Sequence, residues 1–170
     1  IGIYTRKSEL IHGQPYDVID GRPFSTEFSF SRFLVPALNM YQGKALFMDS
    51  DMYLRADVNE LFDLCDMDYY PVYCVHHKYE PERTTKMDGK EQQPYRRKNW
   101  SSLMMFNCGH EANKKLTPEV VNTQTGRWLH WFNAWKPRGE IEGKYAVEWC
   151  NDADWLKMKG IIEFDRDYMV

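Results

Sequence analysis

An unbroken apolar run, Ala45-Leu46-Phe47-Met48, stops abruptly at Asp49-Ser50-Asp51. A continuous hydrophobic run of that length predicts a strand buried on both faces. Upstream, Ile1 to Thr5 has strand composition, and residues 12–23 hold Gly13, Pro15, Asp20, Gly21 and Pro23, which predicts a loop. Ser25 and Thr26 then offer N-caps. Phe30, Phe33, Leu34 and Leu38 follow at three- and four-residue steps, which predicts a helix to Tyr41 that Pro36 bends or splits. Gln42-Gly43-Lys44 ends it, and Asp57 caps a short helix through Leu61 and Phe62.

Beyond these, Tyr70 to Val75 and Trp100 to Cys108 have strand composition. Residues 78–98 are polar and nearly free of aliphatic side chains, so they predict a long loop folded over a site, with surface disorder as the alternative. Thr117-Pro118-Glu119 is a helix start with proline at its first position, and Gly126 to Trp135 predicts a further helix with Trp128, Leu129, Phe132 and Trp135 near one face. Asp152 to Lys159 and Ile161 to Phe164 read as a last helix and a last strand. Strands alternating with helices predict an α/β fold, a mixed sheet flanked by helices, in a single domain over residues 1–170.

The acidic pair is the first chemical signal. Ligands of open α/β sheets collect beyond the carboxyl ends of strands, so two carboxylates there suit a cation. If the segment continues extended, Asp49 and Asp51 point to one side and converge on one ion, while Ser50 faces away. The plain alternative is a turn, because Asp-Ser-Asp is also good turn chemistry.

Composition narrows the partners. Lys and Arg total 22 against 25 Asp and Glu, a net charge of −3 with no basic stripe, which argues against nucleic acid. No run approaches the length of a membrane span, and no leader peptide is visible, so a soluble, cytoplasmic protein is expected. Six Trp and eleven Tyr exceed what such a core needs; core packing accounts for most of them, and some are expected to line a groove, sugar rings being one ligand class that stacks on such faces. Cysteines 65, 74, 108 and 150 lack metal-site spacing and read as buried thiols.

Four segments in order carry a resemblance: residues 26–36, Ala45 to Met52, Val58 to Asp63, and Asn99 to Cys108. Together they resemble glycosyltransferases of the GT-A fold, most closely the retaining glycogenin-like and lipopolysaccharide galactosyltransferase-like group with its bacterial and phage relatives. The resemblance implies a Rossmann-like GT-A domain that moves a hexose from a nucleotide-diphosphate sugar, UDP-linked in the first instance, to a glycan or small-molecule acceptor. It implies that Asp49 and Asp51 hold a catalytic Mn²⁺ (or Mg²⁺), and that Arg32, Asp49, Ser50, Trp100, Ser101 and Asn107 border the donor. Residues 151–156, Asn-Asp-Ala-Asp-Trp-Leu, are similar to a family segment flanking the anomeric carbon, although Glu148-Trp149 can be aligned with a different family segment instead; Asp152 and Asp154, with Lys98 and Asn99, complete the candidate sugar site.

The chain departs from that group in two places. A strand and helix that normally precede a segment like Ile1 to Thr5 are missing, which predicts a truncated or minimal member. No His follows Val147 to act as the family's third metal ligand, which leaves that place to water or unfilled. Two other readings remain open: a haloacid dehalogenase-type phosphohydrolase, although Tyr53 stands where that group has Thr or Val, and a non-catalytic nucleotide-sugar-binding module.

Overall fold

A computed structural model describes residues 2–24, 28–63, 70–76, 101–130, 134, 147–152 and 162–164. They form a small mixed α/β domain. Strands β1 (Ser8–Ile11) and β2 (Gln14–Asp17) make an antiparallel hairpin, and a 3-10 helix (Ser31–Leu34) runs into helix α1 (Val35–Leu38). Then come β3 (Lys44–Met48), β4 (Met52–Leu54), α2 (Val58–Asp63), β5 (Val72–His76) and β6 (Leu103–Asn107). A second 3-10 helix (Glu111–Lys115), α3 (Pro118–Thr123), α4 (Gly126–His130), β7 (Val147–Asp152) and β8 (Ile162–Phe164) complete the described elements.

The principal sheet has four strands in the order β3-β6-β5-β7. β6 runs antiparallel to both β3 and β5, and β5 runs parallel to β7 with a bulge between Cys74 and Val75. Because successive side chains leave a strand on opposite faces, the apolar runs feed two separate cores. Ala45, Phe47, Val72, Cys74, Met104 and Phe106 pack with Phe30, Phe33, Leu34, Leu116, Val121 and Leu129 on the helical side. Leu46, Met48, Tyr73, Val75, Leu103 and Met105 pack with Met52, Leu61 and Phe62 on the other. This explains the lack of polar alternation in β3, β5 and β6. β3 itself is half-buried apart from exposed Lys44, because it lies at a sheet edge among the described residues.

Several expectations need correction. Ile3 to Thr5 is not a strand; the Asn122 side chain takes the place of a neighbouring strand, accepting from Thr5 N–H at 2.8 Å and donating to the Ile3 carbonyl at 2.9 Å. The 12–23 segment is not all loop. His12 and Gly13, with φ of 51° and 79°, form a tight hairpin turn whose left-handed residues match the right-handed twist of paired strands, and β2 follows directly. The helix expected from residue 26 to Tyr41 is short and divided: Pro36 sits in the first turn of α1, where its missing N–H costs nothing, and the preceding turn is 3-10. Met40 and Tyr41, at φ 52° and 54°, turn the chain into β3. Asp152 ends β7 instead of beginning a helix.

Other signals match. Asp57 accepts from Asn59 N–H at 2.9 Å at the start of α2. Thr117 Oγ1 caps α3 by accepting from Val120 N–H at 3.2 Å, with Pro118 at the first helical position. The expected loop 78–98 lies outside the described residues, as do residues 153–161.

Candidate functional site

Asp49 follows β3 directly and extends its ladder by one hydrogen bond, donating its N–H to the Ser102 carbonyl at 2.9 Å. Its own carbonyl accepts from Met52 N–H at 3.2 Å. That bond closes a four-residue turn, Asp49-Ser50-Asp51-Met52, and sends the chain into β4. The turn reading of Asp-Ser-Asp is therefore the one adopted, and the extended geometry is not. Ser50 is exposed at the tip, and Asp49 and Asp51 are each half-buried.

Arg32 is brought to this turn by the 3-10 helix. Burial of Phe33 and Leu34 pins that helix to the sheet and leaves Arg32 reaching sideways over Phe47, its guanidinium carbon 4.7 Å from the ring centroid. One terminal nitrogen lies 3.0 Å from Asp49 Oδ1, and Nε donates to the Ser29 carbonyl at 3.1 Å. The other terminal nitrogen donates to the Ser101 carbonyl and, at 3.3 Å, to Ser101 Oγ. Burial lowers the Arg32 pKa from its ordinary value, and the nearby charges of Asp49 and, more weakly, Asp51 oppose that shift. A guanidinium stays protonated under such a balance, so the turn carries two carboxylates against one fixed cation.

Ser101 and Ser102 precede β6 in a helical turn and do not lie on the strand itself. The Ser101 side chain is fully buried, at 0% exposure, between Arg32 and His130, which removes it from the surface a donor could touch. Asn107 is placed elsewhere. It pairs with Lys44 while Leu103 pairs with Met48, so the antiparallel register sets it at the opposite end of β3 from Asp49, about 17 Å away along the strand. There it accepts from the buried amide of Asn113 at 2.5 Å. Lys98, Asn99, Trp100 and Asp154 lie outside the described residues, and only the backbone of Asp152 is described.

The structure thus gathers Arg32, Asp49, Ser50, Asp51 and Ser101, and adds a residue that had no motif to announce it. His130, on α4, stands 3.3 Å from Ser101 Oγ through Nδ1, packed against the rings of Phe30 and Phe33. A small cleft lined by Asp20, Arg22, Phe24 and Phe30 among others also reaches His130; neither Asp49 nor Asp51 lines it. Among the described residues no third His, Cys, Asp or Glu joins the pair in a metal-holding group. Two half-buried carboxylates nevertheless suit a hard divalent cation that keeps waters and shares ligand oxygens, since Mg²⁺ and Mn²⁺ bind through one or two carboxylates plus phosphates.

Comparison with known proteins gives one curated relative. The chain is 57% identical over 129 residues to Protein CDI of Arabidopsis thaliana, which takes in 76% of this chain and 49% of that protein. This chain therefore spans about half the length of that relative. No protein-family model matches it. No solved structure matches it either.

Proposed function

We propose that this domain is a metal-dependent glycosyltransferase of GT-A type that uses a nucleotide-diphosphate sugar, with Asp49 and Asp51 as the cation ligands. The observation that carries the reading is the pairing of Arg32 with Asp49 at the carboxyl end of β3. Two segments that resemble that group of enzymes, separate in sequence, meet there in one charged cluster on an apolar scaffold. A divalent cation held by Asp49 and Asp51 would supply the positive charge that a leaving diphosphate needs. Arg32 contributes by orienting one of the two carboxylates, since its nitrogens are committed to Ser29, Ser101 and Asp49. Ser50, exposed at the tip of the turn, offers a hydroxyl and a backbone N–H to a phosphate oxygen.

The phosphohydrolase alternative expects the acidic strand in a doubly wound, largely parallel sheet. Antiparallel pairing of β3 with β6 counts against it. The deciding experiment incubates the purified chain with common nucleotide sugars, with Mn²⁺ or with EDTA, and measures nucleoside diphosphate release. Mn²⁺-dependent release that Asp51→Asn abolishes supports the reading. Phosphate release from small phosphoesters instead, or no release and no Mn²⁺-dependent thermal shift with any nucleotide sugar, rejects it.

A further inference from the structure

The charged cluster does not end at Arg32. Ser101 Oγ lies 3.3 Å from Arg32 Nη1 and 3.3 Å from His130 Nδ1, so one hydroxyl joins a guanidinium to an imidazole inside the protein. Arginine can only donate, so the hydroxyl oxygen accepts from it, and the tautomer of His130 sets whether the hydroxyl gives its hydrogen to Nδ1 or accepts a second one from it. His130 is 3% exposed and cannot swing freely: its ring centroid lies 5.6 Å from that of Phe30 and 5.4 Å, edge-on, from that of Phe33. Both phenylalanines flank Arg32 in sequence, so α4 grips the segment that carries the arginine on both sides. Ser29, Ser101 and Asp49 then receive different nitrogens of one planar fork, which leaves the guanidinium a single orientation.

We propose that His130 and Ser101 are positioning residues that fix the Arg32 guanidinium and, through it, the orientation of the Asp49 carboxylate. This rests on the reading of Asp49 and Asp51 as cation ligands.

Two variants of His130 separate positioning from packing. His130→Phe keeps the ring between Phe30 and Phe33 and loses the Nδ1 hydrogen bond; His130→Asn loses the ring and keeps a hydrogen-bonding amide atom near the Nδ1 position. Nitrogen-15 NMR of the Arg32 side chain in the 170-residue chain reads restricted rotation of the guanidinium directly. Calorimetric titration with Mn²⁺ alone reads the carboxylate pair. Positioning requires that His130→Phe and Ser101→Ala release the guanidinium rotation and weaken Mn²⁺ binding by about fivefold, the equivalent of one ordinary hydrogen bond. His130→Asn should stay close to the parent in both measurements, even if its melting temperature falls further. The opposite order, with Phe like the parent and Asn impaired, assigns His130 to packing and overturns the proposal, as does unchanged rotation in both His130→Phe and Ser101→Ala. If the parent chain binds no Mn²⁺, the cation reading fails, and with it the role of the Asp49 orientation in holding a cation; the NMR signal then still decides whether His130 fixes Arg32.

Discussion

Arg32 Nη2 lies 3.0 Å from Asp49 Oδ1, while Asp51, two residues on, acts on Arg32 only as a nearby charge. The two carboxylates of the pair are therefore not equivalent, and single substitutions should tell them apart. Asp49→Asn leaves a largely buried guanidinium without its counter-charge, which should cost about 1–3 kcal/mol, less than for a fully buried pair because Asp49 is 35% exposed. Asp51→Asn removes a negative charge from beside another and should leave the melting temperature unchanged or slightly raised. Both should lose Mn²⁺ binding and transfer. Equal melting temperatures for the two variants would contradict the asymmetry.

Arg32→Lys keeps the charge but gives up the fork. An ammonium cannot reach the Ser29 carbonyl, the Ser101 carbonyl and Asp49 together, so at least one buried carbonyl loses its donor, at about 1–3 kcal/mol. Urea denaturation should show that loss with an unchanged slope. Retention of parental stability would mean that water or another donor replaces the guanidinium without penalty.

Part of this was legible in the sequence. β3, β5 and β6 were readable because strands covered on both faces write themselves as continuous apolar runs, and the helix starts at Asp57 and Thr117 because capping chemistry is local. Asp49 and Asp51 were marked by the abrupt end of such a run. The β1–β2 hairpin was not, since its turn uses a left-handed His12 where Asn or Gly is the usual signal, and exposed strands need little hydrophobicity. The antiparallel β3–β6 register, which sets Asn107 and Asp49 at opposite ends, depends on pairing across distant segments and leaves no trace in either one. His130 was hidden for the same reason: only the packing of α4 against the Arg32 segment gives it a role. A lone histidine between Leu129 and Trp131 carries no spacing that could be read.

The N-terminal segment is fastened by a second buried ion pair. Arg6 pairs with Asp17, both side chains 2% exposed, and also donates to the carbonyls of Val121 at 2.9 Å and Gln124 at 2.6 Å, with its guanidinium carbon 4.1 Å from the Phe30 ring centroid. Asp17→Ala should destabilise the chain by about 3–5 kcal/mol, because it strands a buried cation. Replacing both residues, Arg6→Met with Asp17→Ala, should recover part of that loss, and a double-mutant cycle measures the coupling. Additive effects would show that the pair does no more than fill space.

Stability should also fall at alkaline pH, by a direction that the thiol fixes. Cys108 is fully buried at the start of the turn that follows β6, and burial pushes its thiol pKa up from the ordinary value. A group whose folded pKa is raised binds its proton more tightly in the native state, so its contribution is complete below the unfolded thiol pKa, about 8.5, and declines above it. Burial raises the Tyr41 phenol in the same direction, with its own decline beginning at about pH 10. The melting temperature should therefore hold from neutral pH to about pH 8 and decline beyond, first through Cys108 and then through Tyr41. Cys108→Ala removes the first step and keeps the second, at the cost of a small cavity under the sheet. Thiol-reagent labelling gives an independent check, since native Cys108 should stay unreactive at pH 8 until the chain unfolds. Rapid labelling of Cys108 in the native state, or an alkaline decline in Cys108→Ala identical to that of the parent, would show that the thiol is not protected by the fold.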